Sequence, residues 1–334
     1  MELQDALAAR FDRLKPGDDG WHALADAGVL GLPFAEAHGG LGLLPRDGFA
    51  VLEIFGPRAI ALPYLECVLL AGALLDRAGG AAAAHWLPRV AAGEAKLAFA
   101  SVDDRECARA TSDASGWRLS GGKLLAIGAA EADAVIVTAM SNDGPAAFLI
   151  EREALAMKAY PTIDGRRAAD LLLDDVTLPK DARLAVEPED IADILDLGAA
   201  AIAAEAAAIM ERLVIDTRDY CVQREQFGKA ISSFQVVQHR LVDMHIEARR
   251  AAAAAALAAD ALDLDPAARA KAISAAKVTI ADAGRFVGQN AVQLHGGMGM
   301  TEELPVSALF KRLTVIESEF GTRDEHLARY MALN

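Results

Sequence analysis

Chemistry in this chain concentrates in two short stretches. The first is Arg224-Glu225-Gln226-Phe227-Gly228-Lys229, followed closely by Phe234-Gln235-Val236-Val237-Gln238-His239. The second is Gln293-Leu294-His295-Gly296-Gly297-Met298-Gly299. The Arg224 guanidinium offers several N–H donors to phosphate oxygens, and glycine lets a backbone come close to a ligand. Each stretch also has a plainer reading. Arg224 suits a helix C-terminus, where the macrodipole favours a cation, and Gly228 suits the stop that follows. His295 reads as a packing or hydrogen-bonding residue, His326 as a residue facing water, and Met298-Gly299-Met300 as core filler.

The elements that must carry these residues fall into three zones. From 1 to 93, apolar residues recur at helical spacing, as in Leu3, Leu7, Phe11 and Leu14, with Gly39-Gly40-Leu41-Gly42 as a loop. Between 94 and 186, short runs at Lys96–Ala100, Gly116–Ser120, Ala134–Thr138, Ala147–Ile150 and Ala169–Leu173 alternate with turn residues, which predicts a small antiparallel β domain. From 187 to 334 the alanine-rich sequence predicts a bundle of about four long helices. Ser232 and Gln235 fit a capping box there, and Asp265-Pro266 fits an N-cap with proline at the first helical position.

Composition sets outer limits. With 334 residues and 53% hydrophobic side chains, the chain can bury more than one core. A net charge of −15 argues against nucleic acid and anionic membranes as partners. Cys67, Cys107 and Cys221 lie far apart, without metal-site spacing, and suggest a reducing cytoplasm. The acidic N-terminus lacks the apolar core of a targeting signal. The run Ala251–Ala259 is too short to span a membrane.

The RxQFG and QxxGGxG stretches, in this order and in a helical, strand, helical chain, resemble the acyl-CoA dehydrogenase family over nearly the whole length, including Trp21–Gly42. The resemblance implies a mostly α fold with a β domain: an N-terminal helical domain, a middle antiparallel β domain and a C-terminal four-helix bundle. It implies FAD, shared across a subunit interface, an acyl-CoA substrate, and electron-transfer flavoprotein as the acceptor. By position, it makes Arg224 a ligand of the pyrophosphate of a neighbouring subunit's FAD. Gln226 and Phe227 line the same surface, Gln235 lies near the adenine, and Gln293, Gly296 and Gly297 lie on the adenosine side.

Several family features are missing. In the family a carboxylate removes the α-proton of the thioester while the flavin accepts hydride from the β-carbon, and a dry pocket raises that carboxylate's pKa. The usual base sits in a Glu-Gly-Thr motif, where this chain has Phe320-Gly321-Thr322, and the alternative base position falls at about Gly198, beside Ala199. The flavin-facing Thr-Glu and Gly-Ser-Asp segments are replaced by Ser101–Glu106, and the aromatic-Ile-Thr segment by Leu124–Gly128. Glu205, Glu317, Glu319 and Asp324 remain nearby, with Glu319 the best placed as a relocated base. The retained features lie on the side lent to a neighbour, and the lost ones on the side serving the chain's own flavin. The reading is a base-lacking subunit of a hetero-oligomeric dehydrogenase, completing the site of a catalytic partner. A self-associating enzyme with a displaced base and a non-enzymatic assembly protein are the alternatives.

Overall fold

The computed structural model describes residues 2–13 and 19–333; Leu14, counted in the first apolar stripe, lies outside them. It divides into two compact units, Met1–Gly48 with Ala61–Leu195 and Phe49–Ile60 with Asp196–Asn334.

The first unit opens with helices α1 (Glu2–Phe11) and α2 (Gly20–Asp26); α3 (Phe49–Phe55) belongs to the second unit. A buried π-helical stretch, Leu65–Gly72, then leads into α4 (Ala73–Ala78) and α5 (Gly80–Ala91). The sheet comprises β1 (Leu97–Ala100), β2 (Arg109–Ser112), β3 (Trp117–Ile127), β4 (Ala134–Ser141), β5 (Gly144–Glu151), β6 (Ala156–Pro161) and β7 (Arg167–Leu178). Its order is β1-β4-β2-β3-β7-β6, with β5 paired to β4. Every second residue of several strands enters one core: Ala98 and Ala100, Val135 and Val137, Phe148 and Ile150, Leu171 and Leu173.

The sheet is mixed, whereas the sequence suggests antiparallel pairing alone. β1 runs parallel to β4, and β2 meets β4 in parallel at Arg109↔Met140. The near-continuous burial of β4 is the signature of a strand covered on both faces.

The second unit is built on α6 (Pro188–Gln223), α7 (Gln235–Ala261) and α8 (Pro266–His295). The place of a fourth long helix is taken by α9 (Pro305–Ile316) and α10 (Arg323–Ala332). Small residues let the helices approach closely: Ala248, Ala251, Ala255 and Ala258 form a buried stripe on α7 at spacings of three and four. Asp265 caps α8 as its sequence predicts, its carboxylate accepting from the Ala267 and Ala268 amides at 3.2 and 3.1 Å. The predicted capping box at Ser232 does not form. Ser232 lies in a turn of Ile231–Ser233, and the α7 N-cap is Phe234, which has no side-chain acceptor to offer. No described helix is long and apolar enough to cross a membrane.

Candidate functional site

Both chemistry-bearing stretches lie at one end of the second unit. Helix α6 ends at Gln223, and the chain turns back through a hairpin of β8 (Glu225–Gln226) and β9 (Lys229–Ala230). Its two-residue loop is Phe227-Gly228, with φ of 55° and 77°. A tight hairpin whose two central residues both have positive φ is the turn type that matches strand twist. Gly228 is therefore the second turn residue of a hairpin, not the stop of α6. Phe227 adopts the left-handed conformation without the exemption glycine enjoys, a strain of about 1–3 kcal/mol. Its ring is 92% exposed, edge-on to Phe234 at 6.1 Å.

The second stretch is brought to the hairpin by a ring stack. Tyr220, one turn before Arg224, stacks on His295 with centroids 4.3 Å apart and planes 26° from parallel. Its hydroxyl donates to the His295 carbonyl at 3.4 Å. His295 is buried, and its Nδ1 donates to the Ala291 carbonyl at 2.8 Å, the packing role expected of it. Gln293 and Gly297 flank that anchor. Arg240 reaches from α7 to Asn290 of α8 at 3.2 Å and ties the start of α7, with Gln235, to the same end.

The donors here are uncommitted. Arg224, Gln235 and Gln293 are exposed and make no side-chain hydrogen bond or ion pair among the described residues, while Gln226 donates only to its neighbour's carbonyl, Glu225 O, at 2.8 Å. Gly296 needs its φ of 62° to end α8, but Gly297 has no such need, and a Cβ added to it would meet nothing within 4 Å. By contrast, a Cβ on Gly299 would lie 2.8 Å from the Val292 carbonyl, so that glycine is demanded by internal packing. A free guanidinium, free amides and a glycine facing open space fit the phosphate and nucleotide end of FAD. Met298 and Met300 are exposed, at 38% and 67%, so they are not core filler; the turn after α8 lies on the surface and buries only Gly299.

The turn after α9 has the opposite character. Phe320 (φ 54°) packs its ring against Gly198 of α6: a Cβ at 198 would stand 2.5 Å from a ring carbon. The carbonyls of this turn are held from below. Lys277 of α8, 1% exposed, donates to the Ile316 and Glu319 carbonyls at 2.8 and 2.7 Å. Burial pushes its ammonium pKa down to about 8.

His326 is buried and does not face water. Its Nε2 donates to the Phe320 carbonyl at 2.9 Å, and its Nδ1 accepts from the Ser274 hydroxyl at 3.3 Å. Burial holds its pKa below the usual imidazole range. Glu319, the best-placed alternative carboxylate, pairs with Arg312 at 2.9 Å, and Arg312 grips Glu205 through two contacts of 2.7 Å. Glu317 pairs with Arg285 and Asp324 with Arg323.

In the first unit, the segment 101–106, expected from the resemblance to stand in for flavin-facing residues, folds onto β3. The Leu124 amide donates to the Val102 carbonyl at 2.9 Å, the Asp104 amide to the Gly122 carbonyl at 3.1 Å, and the Leu125 amide to the Asp170 carboxylate at 3.1 Å. Lys123, 1% exposed, is satisfied by Ser101 O, Asp103 and Thr138. Burial pushes the Asp103 carboxyl up, but hydrogen bonds from the Ala108 amide and Lys123 outweigh it and hold it below the usual range. The sequence does not single out Tyr220, Lys277 or Arg312; a lysine inside an alanine-rich stretch was the available signal.

Comparison with known proteins agrees with this fold. Residues 3–94 match the acyl-CoA dehydrogenase N-terminal domain and residues 190–332 the acyl-CoA dehydrogenase C-terminal domain. The chain is 30% identical to acyl-CoA dehydrogenase FadE27 of Mycobacterium tuberculosis, over 95% of this chain and 86% of that protein. Among solved structures it resembles the ChsE4-ChsE5 complex from Mycobacterium tuberculosis, with a TM-score of 0.91 and 27% identity over 99% of this chain and 95% of that one. It also resembles the Tcur3481-Tcur3483 steroid ACAD variant, with a TM-score of 0.88 and 28% identity over 99% and 96% of the two chains. The chain belongs to the acyl-CoA dehydrogenase family, whose fold implies FAD as its cofactor.

Proposed function

We propose that this chain is the base-lacking subunit of a hetero-oligomeric acyl-CoA dehydrogenase, lending the nucleotide half of a flavin site to a catalytic partner that desaturates an acyl-CoA thioester. FAD accepts hydride in such a reaction. In this reading Arg224 holds its pyrophosphate, Gln226 and Phe227 line the same surface, and Gln235, Gln293, Gly296 and Gly297 receive the adenosine. Electron-transfer flavoprotein is the acceptor that the family resemblance implies.

The observation that carries the reading is the opposite state of the two regions. Donors near Arg224 are free, while Phe320 and its ring stand where the family's carboxylate would be. Gly198 and Gln223 are 25 residues apart on α6, or roughly 38 Å at the helical rise. That is farther than one dinucleotide reaches, so the two regions serve different flavins. The names of the ChsE4-ChsE5 complex and of the Tcur3481-Tcur3483 steroid ACAD point to paired chains, and the second to a steroid-derived acyl group. A self-associating enzyme would need a free carboxylate near Phe320, and Glu319 and Glu205 are both tied to Arg312.

Arg224→Ala tests the assignment. In the complex purified with its partner, flavin retention should fall at least tenfold through the loss of one charge-assisted contact. The melting temperature of the isolated chain should stay within a degree or two. Unchanged retention would overturn the contact.

A further inference from the structure

Between the turn after α9 and α6, the Phe320 ring takes up the space beside Gly198. Among family members the base comes from the position of Phe320 or from that of Gly198, and either must reach the same α-carbon. The point within reach of both positions is where a bound thioester presents that carbon. Here the Phe320 ring occupies it, pressed on the glycine.

The ring cannot leave by a shift of the turn. The carbonyls of Ile316 and Glu319 are fixed by Lys277 and that of Phe320 by His326. The Glu319 carboxylate is tied to Arg312. Thr322 begins α10 with a full capping box, its amide donating to Glu325 at 2.7 Å while its hydroxyl accepts from the Glu325 amide at 3.3 Å. On the facing helix, Gly198 is the residue type that admits a ring against its backbone.

We infer that Phe320 is a steric plug that closes this chain's own acyl niche, so that an assembly containing it takes acyl thioesters only in the partner subunit. This rests on the proposed subunit role and extends it, because a subunit lacking only the base would still hold substrate unproductively. A filled niche removes that competing site.

Two measurements on the full-length chain test the plug. The first is the melting temperature in a double-mutant cycle of Gly198→Ala and Phe320→Gly. Gly198→Ala should lower the melting temperature where the ring is present and raise it in the Phe320→Gly background, where only the helix preference for alanine remains. A rise in both backgrounds would show that the ring does not bear on Gly198 and would overturn the inference. Phe320→Gly suits folding, since glycine takes a φ of 54° without strain. Should it not fold, Phe320→Leu, which empties part of the niche, carries the same comparison.

The second measurement is calorimetric binding of butyryl-CoA, with free CoA as control. Wild type should show no preference between them. Phe320→Gly should bind butyryl-CoA at least tenfold more tightly than CoA, through burial of the acyl methylenes. Equal preference in wild type and variant, or none in the variant, would overturn the plug. Neither readout depends on flavin, so failure here is distinguishable from failure of the shared flavin site.

Discussion

The two ends of α6 use the same kinds of group in opposite ways. Near Gln223, a guanidinium, two amides and a glycine face outward and make no side-chain hydrogen bond or ion pair among the described residues. Near Gly198, a guanidinium is satisfied by two carboxylates, and an ammonium and an imidazole by the backbone carbonyls of the turn that carries a phenyl ring. Hydrogen-bonding groups left idle on a surface contribute little to stability. In the proposed assembly these groups would meet the flavin's nucleotide end. Groups satisfied in the interior stabilise the turn and leave no capacity for a reacting substrate. In the proposed subunit role, the first region would meet a partner's cofactor, and the second serves structure.

Substitutions at the two ends should therefore behave differently, and the largest effect belongs to the inward end. Arg312→Ala leaves Glu205 and Glu319 buried without their shared cation, and should cost about 3–5 kcal/mol in denaturant unfolding. A cost below about 1 kcal/mol would mean that the network is not closed. At the outward end, Arg224→Ala should change unfolding by less than about 0.5 kcal/mol, as for other surface changes.

Lys277 gives the next effect. Its folded-state pKa of about 8 lies below that of an unfolded lysine, so the native protein binds fewer protons between about 8 and 10.5. Its contribution to stability is complete above about 10.5 and is lost as pH falls through 8, a change on the order of 3 kcal/mol. Unfolding free energies measured across that window should rise with pH in wild type relative to Lys277→Met. Parallel curves would show that the ammonium is not buried as described. His326 has the same sign at lower pH: its depressed pKa makes stability fall as pH drops below about 6.5, a slope that His326→Gln should remove.

The smallest effect, at the hairpin tip, sharpens the comparison most. Phe227→Gly relieves left-handed strain and should stabilise the isolated chain by about 1 kcal/mol, while weakening flavin retention in the complex. A residue that costs stability alone and is needed in the assembly is placed for the assembly. If the change lowers stability instead, Phe227 has a packing role in its own chain.

Much of this was legible in the sequence where pattern and chemistry coincide. Asp265-Pro266 announced the start of α8, and the five short runs became β1, β3, β4, β5 and β7. β2 and β6 escaped because they are mostly exposed and lack an apolar alternation. Gly228 misled because glycine ends helices and also turns hairpins, and only the pairing of Glu225 with Ala230 decides between them. Ser232 misled because its place in a tight turn left Phe234 to begin α7. At position 320 the sequence shows a phenylalanine where the family resemblance leads one to expect a carboxylate. The groups that hold the turn were not legible, since Lys277 reaches it from α8, 39 residues before Ile316, and nothing in the pattern shows that Arg312 and His326, on the helices flanking the turn, point inward.

The central claim is tested most directly by the visible absorption of the purified chain, measured alone and after co-expression with a dehydrogenase partner. Flavin absorption only in the mixture, with flavin bound at one per pair of unlike chains, is the predicted result. Stoichiometric flavin in the lone protein, reduced on addition of an acyl-CoA, would contradict it.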